Sequence, residues 1–352
     1  MTTKERFLRM YQHKEADRIP IIDHPWGATI ERWQREGLPV GMDWRDYFDV
    51  DKVEGIYVDY SPRYESKILE ETEKYKILTT NWGVTLKVFK HDESTPEFLD
   101  FKVNTKETWE EAKKLMTFDS ARIPFAHLEQ NYKHWKQSGA WISGQFWFGF
   151  DVTHSWMAGT ETILMALLEE PEWCEDMFNH YLDMNIMHFE EILKKGYEID
   201  EIYWPDDMGY KNTQFFSMRV YRELLKPVQK RAIDWCHSKG LKVRMHSCGD
   251  IMPFVPELVE LGLDALNPLE VKAGMDPILL KKQFGDKLVL NGGINAAKWH
   301  LKDEILSEME MFIPILKQNG GYIFSSDHSV PSSVSLEEFG LIIDKAKQLG
   351  KY

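Results

Sequence analysis

The stretch Lys242-Val243-Arg244-Met245-His246-Ser247-Cys248-Gly249-Asp250 reads as a strand running into a turn. Side chains alternate across a strand, so Val243 and Met245 share one face while Arg244, His246 and Cys248 share the other. An imidazole and a thiol therefore emerge side by side where the strand ends. Gly249-Asp250 then turns the chain towards a helical pattern over 252–262. If His246 faces inward, so does Arg244, one pleat deeper. A buried guanidinium needs a carboxylate, so an acid from a neighbouring strand is expected beside it.

The same rhythm extends in both directions. Candidate strands are Trp141–Trp147, Glu201–Trp204, Lys242–His246, Ala265–Leu269, Leu288–Asn291 and Tyr322–Ser325. Helical patterns over 160–195, 217–239, 252–262, 276–284, 302–318 and 335–349 separate most of them. Repeated βα units imply a parallel sheet. Two earlier strands, Arg18–Pro25 and Val53–Tyr60, bring the number to that of a closed (β/α)8 TIM barrel. An open doubly wound sheet would be expected to carry a Gly-rich phosphate loop, and neither Gly-x-Gly-x-x-Gly nor a P-loop occurs. Residues 2–13 read as an N-terminal amphipathic helix, and Thr105 as the cap of a helix over 105–116. Residues 65–91 alternate about Trp82-Gly83 and read as a β-hairpin excursion. The α/β chain is thus expected to be one barrel domain over 1–352, with 65–91 a hairpin insertion within it.

Composition narrows the function. A 43% hydrophobic share supplies a core, and a formal net charge of −14 opposes nucleic acid and anionic membrane surfaces. The polar start Met1-Thr2-Thr3-Lys4-Glu5-Arg6 is not a secretory signal, and no apolar run approaches a membrane span. Three cysteines, Cys174, Cys236 and Cys248, fit a reducing compartment rather than a disulfide scaffold, so a cytoplasmic protein is expected.

Active sites of such barrels sit at the C-terminal strand ends. Polar residues gather there: Asp23-His24, Asp59, Asp206-Asp207, His246 with Cys248, Asn267 with Glu270, Asn291 and Asp327-His328. The alternative for each acid is that it caps the next helix. His and Cys on adjacent same-face positions are good zinc ligands. Trp141, Phe146, Trp147, Phe148, Phe150 and Trp156 crowd one strand end and its loop, as walls of a pocket or as ordinary core.

Asp17-Arg18-Ile19-Pro20, Asp206-Asp207-Met208-Gly209, His246-Ser247-Cys248-Gly249, Gly292-Gly293-Ile294 and Gly320-Gly321-Tyr322-Ile323-Phe324 leading to Asp327-His328-Ser329-Val330-Pro331 occur in this order. With them the chain resembles the uroporphyrinogen decarboxylase superfamily, which implies a single-domain (β/α)8 barrel. The superfamily includes cofactor-free porphyrinogen decarboxylases and zinc-dependent methyltransferases that work with a cobalt corrinoid. The decarboxylases bind substrate carboxylates through an early arginine-bearing segment. Here the corresponding stretch, Asp23-His24-Pro25-Trp26-Gly27, has no arginine. Asp59 matches the decarboxylases' pyrrole-binding aspartate in outline.

The resemblance is stronger to the methyltransferase branch. It implies zinc on His246, Cys248 and a third residue after the last strand, usually Cys, where this chain has His328. Asp207 and Glu270 are the catalytic candidates, Glu270 also being a candidate ligand. Asp59, Trp147, Phe148, Tyr203 and Asp206 are the candidate substrate contacts. The implied reaction moves a methyl group between a small substrate, with a methoxylated aromatic favoured, and a methylcobalamin-type corrinoid on a partner protein. Rival expectations are a thiol-methylating corrinoid enzyme, a metal-independent decarboxylase-like lyase using Asp59 and Asp207, and a non-catalytic tetrapyrrole binder. Relatives of this kind are often homodimers.

Overall fold

The computed structural model describes residues 1–90 and 96–352. Its strands in chain order are β1 (Val53–Tyr57), β2 (Lys67–Glu71), β3 (Tyr75–Thr79), β4 (Val84–Phe89), β5 (Glu97–Phe101), β6 (Trp141–Gln145), β7 (Glu201–Pro205), β8 (Gly209–Tyr210), β9 (Thr213–Gln214), β10 (Lys242–His246), β11 (Ala265–Asn267), β12 (Val289–Asn291) and β13 (Tyr322–Ile323). Seven of them form one parallel sheet in the order β1-β6-β7-β10-β11-β12-β13. Helices separate most of the parallel neighbours, as a βα rhythm requires.

The stretch Arg18–Pro25, expected as a strand, forms isolated bridges instead. Ile21 pairs with Phe324 and Pro25 with Val330, both in parallel sense. Phe324 N–H donates to the Pro20 carbonyl at 2.9 Å, and Ile22 N–H to the Phe324 carbonyl at 3.0 Å. Pro20 and Pro25 have no N–H to give, so a continuous ladder cannot form there. On the other side, Asp51 N–H donates to the Ile21 carbonyl at 3.0 Å. The segment therefore stands between β13 and β1 as a loosely bonded stave.

The antiparallel excursion is larger than a hairpin. β2, β3, β4 and β5 make a four-stranded sheet, in which the expected 65–91 stretch supplies the first three strands. Residue 91 lies outside the described residues. The long pattern over 160–195 divides into helices Thr160–Glu169 and Pro171–Lys194, because Pro171 has no N–H to continue the first but suits the first turn of the second. Among the described residues, no helix is long and apolar enough to cross a membrane.

The inside of the sheet is layered. The helix Thr3–Tyr11, started by a Thr2/Glu5 capping box, carries Phe7, Met10 and Tyr11 against Trp141, Ala265, Val289 and Ile323. This closes the N-terminal end with apolar contacts. Above it lies a buried polar layer. Arg244 meets Glu201 of the adjacent β7 at 2.6 Å, and Glu201 also accepts from the Tyr11 hydroxyl at 2.6 Å. The expected carboxylate partner of Arg244 is thus Glu201. Val243 and Met245, on the opposite face of β10, are fully buried in the main hydrophobic cluster.

Candidate active site

The parallel register sets His246 beside Pro205 on one neighbour and Asn267 on the other. With Arg244 inward, His246 faces inward at the strand's end and Cys248 follows it. Two loops then meet backbone to backbone. A Cβ on Gly249 would lie 2.3 Å from the Gly209 carbonyl carbon, and the Gly249 φ of +79° also favours glycine. This contact presses the loop after β7 onto the loop after β10. Ser247 Oγ accepts from Met208 N–H at 3.0 Å, and Asp207 Oδ1 accepts from Cys248 N–H at 2.7 Å.

The result is a compact donor group. One ligand atom each from Asp207, His246 and Cys248 lies within 4.8 Å of the others. His246 Nε2 is 3.2 Å from Cys248 Sγ and 3.7 Å from Asp207 Oδ1. A tetrahedral zinc with ordinary bond lengths would put its nitrogen and sulfur ligands about 3.5 Å apart and nitrogen and oxygen about 3.4 Å apart. The other imidazole nitrogen, Nδ1, sits 2.8 Å from Asn267 Oδ1, which turns Nε2 towards the group. Burial and then the Asp207 and Glu270 carboxylates push the Cys248 thiol well above its ordinary pKa. A cation among these donors would reverse that effect and hold the thiolate. Burial opposes the charged form of His246, yet Tyr203, Asp207 and Asn267 outweigh it and raise its pKa to about 9. Three donors in reach, one of them oriented from behind, fit a divalent metal, whose binding would displace the His246 proton.

The group opens into a cavity of about 410 Å³, which Asp23, His24, Tyr57, Tyr203, Ser325, Ser326 and His328 also line. Neither Lys nor Arg is among its lining residues. His328 therefore shares the cavity but lies outside the tight three-residue group. Tyr203 lies over the Arg244 guanidinium at 4.7 Å. Asp23 accepts from Ser326 Oγ at 2.6 Å, and burial lifts its pKa to about 6.

The remaining expected site residues stand elsewhere. Glu270 Oε2 accepts from Gly249 N–H at 2.6 Å and so braces the loop that carries Cys248. Asp206 is fully buried and accepts from the Phe150 and Asp151 N–H groups and from Gln229 Nε2, fixing the helical turn after β6. Asp327 does similar work, accepting from Val271 and Ala296 N–H groups. Both therefore take the capping role, whereas Asp207 lies in the donor group with His246 and Cys248. Phe148 is fully buried against Trp204, and Trp147 donates its indole N–H to Asp151 at 2.7 Å. Neither is among the cavity's lining residues. Asp59 pairs with Arg63 at 2.7 Å, away from the cavity. Asn267, Asp23, His24 and Tyr57 carry roles that strand-end position alone had not distinguished. The signal for Asn267 was its register opposite His246.

A family model described as uroporphyrinogen decarboxylase (URO-D) matches residues 144–349, more than half of the chain. No curated protein sequence matches. Among solved structures, a methyltransferase from Methanosarcina mazei superposes with a TM-score of 0.68 at 14% identity, covering 99% of each chain, which shows a shared fold. A uronate isomerase from Bacillus halodurans, 12% identical over 69% of this chain and 58% of its own, has a TM-score of 0.30 and carries no argument. A parallel sheet of TIM type, with an inward His and Cys at the end of β10, is thus the setting of a sequence that the URO-D model matches over most of its βα units, and the chain belongs to the uroporphyrinogen decarboxylase family.

Proposed function

We propose that this protein is a zinc-dependent methyltransferase that moves a methyl group between a small substrate and a corrinoid carried by a partner protein. The observation that carries the proposal is the Asp207–His246–Cys248 group, which opens into a cavity without Lys or Arg. These three residues would hold the ion, and His328, lining the same cavity, is the remaining candidate ligand. Three protein ligands leave a position for substrate. Bound zinc would supply Lewis acidity to the heteroatom that bears the methyl group. Asn267 orients His246, and Asp207 fixes the Cys248 backbone as well as offering a carboxylate oxygen. The favoured substrate is a methoxylated aromatic, since a thiol substrate is better served by a thiolate-rich zinc than by one with Asp207 and histidines around a single Cys.

The Methanosarcina mazei protein that shares the fold is named a methyltransferase. A porphyrinogen, by contrast, would bring several carboxylates into a cavity lined by Asp23 and Asp207 and by neither Lys nor Arg.

The test is the metal content of the purified chain beside Cys248→Ala, followed by methyl transfer from methoxylated aromatics to cob(I)alamin. About one zinc per chain, lost in the variant, is expected. A chain that takes up no zinc when supplied with it, or a variant that keeps it, would overturn the proposal and turn attention to decarboxylation.

A further inference from the structure

A second cavity of about 390 Å³ opens beside the candidate active site. Ile22, His24 and Pro25 of the loosely bonded stave form one side, and Val53, Gly55 and Tyr57 of β1 form the other. Among the described residues, one backbone hydrogen bond crosses this seam, from Asp51 N–H to the Ile21 carbonyl. Beyond it the wall is a slot. The slot and the active-site cavity share Asp23, His24 and Tyr57, so the two spaces abut.

Tyr57 stands on the boundary between the two spaces. Its ring folds back over Gly55, where a Cβ would lie 2.4 Å from the ring, so only glycine leaves the ring this place. Tyr57 is 64% exposed, and among the described residues no hydrogen bond holds its hydroxyl. Of the charges around the slot, Arg45, Asp51 and Glu54 are already matched, and Asp23 at the boundary accepts from Ser326. Arg45 is bidentate on Asp43 and lies 3.1 Å from Glu54. Asp51 meets Arg6 at 2.9 Å and Arg18 at 2.6 Å. Trp44 and Trp135 contribute apolar surface. An occupant would find aromatic walls and no unpaired Lys or Arg.

We propose that the small substrate lies across this boundary, with its reacting end in the Asp207–His246–Cys248 cavity and an uncharged, aromatic or apolar remainder in the side slot. The inference rests on the proposed reaction only for what the reacting end carries. It leaves the C-terminal mouth of the sheet free for a bulky second reactant.

Cys248 reports on access without any need for turnover. Cys174 and Cys236 are fully buried, so alkylation by iodoacetamide in the chelator-treated protein reads Cys248 alone. His127 lines the slot but not the active-site cavity, and His127→Trp would narrow the slot from the helix surface. Labelling, followed by intact mass, should keep its rate in His127→Trp, because the open mouth still admits the small reagent, and should quicken in Tyr57→Ala, with circular dichroism confirming that both fold. The probe 1,2-dimethoxybenzene should protect Cys248 in the unaltered chain and lose that protection in His127→Trp. Protection that persists undiminished in His127→Trp would overturn the side-slot inference while leaving the zinc proposal standing. Absence of zinc with the labelling pattern intact would do the reverse.

Discussion

Asn267 acts on His246 from beside, while Arg244 lies one pleat below it on the same face of the strand. The Asn267 Oδ1 contact at 2.8 Å fixes which ring nitrogen faces Cys248. Asn267→Ala should leave all three donors in place yet weaken zinc binding about 10- to 100-fold, as loss of an orienting partner does elsewhere. Competition with a zinc-sensitive dye would measure it. Arg244 is 4% exposed and Glu201 0%, so neither can turn to water if the other is removed. Arg244→Met strands the Glu201 carboxylate and should cost about 3–5 kcal/mol of stability. Urea unfolding would show this as a lower midpoint, whereas an unchanged midpoint would mean that the interior layer is not built on this pair.

At the scale of elements, the site depends on how closely two loops approach. Gly209 and Gly249 face each other with no room for a side chain on either. Gly249→Ala must both adopt a φ of +79° and clear the Gly209 backbone. The expected cost is about 1–3 kcal/mol, together with displacement of Cys248 from Asp207. Zinc stoichiometry should fall although every ligand is still present. A variant that binds zinc normally would show that the loop contact does not position the group. The acids that follow the strands divide for the same reason. Asp206 and Asp327 point at orphan N–H groups of neighbouring turns and are consumed there. Asp207, one residue on from Asp206, emerges over the β10 loop.

Across the whole molecule, buried titratable groups shape the dependence of stability on pH. Burial holds His154 down to about 4, while it hydrogen-bonds near Thr160 and Ser155 and stacks on Phe150. The unfolded chain takes up this proton near pH 6.5, which the folded chain refuses until about pH 4. This contribution is therefore present above about 6.5 and is lost as pH falls towards 4. Asp23, raised to about 6, works in the opposite sense, stabilising the fold as pH falls through that value. His154→Gln removes only the first effect. Its melting temperature, set against that of the unaltered chain, should improve in relative terms between pH 7 and pH 5. A constant difference would mean that His154 stays neutral in both states or charges in both.

Much of this architecture is written locally. Alternation along 242–248 puts Arg244, His246 and Cys248 on one face, and the recurring strand-to-helix pattern implies the parallel sheet. These features follow from backbone geometry that each short segment carries by itself, which is why a partner for Arg244 could be expected before Glu201 was seen. The prolines at 20 and 25 were equally visible, but whether that stave pairs on both sides depends on how the sheet curls. Only the tertiary structure decided that Asp207 rather than His328 joins His246 and Cys248 in the tight group. Only it decided that the aromatic run around Trp147 and Phe148 goes into the core, and that a slot opens beside β1. Those outcomes depend on loops from distant parts of the chain converging, and the Gly209–Gly249 backbone contact that aligns two of them is a fact of packing with no period in the sequence.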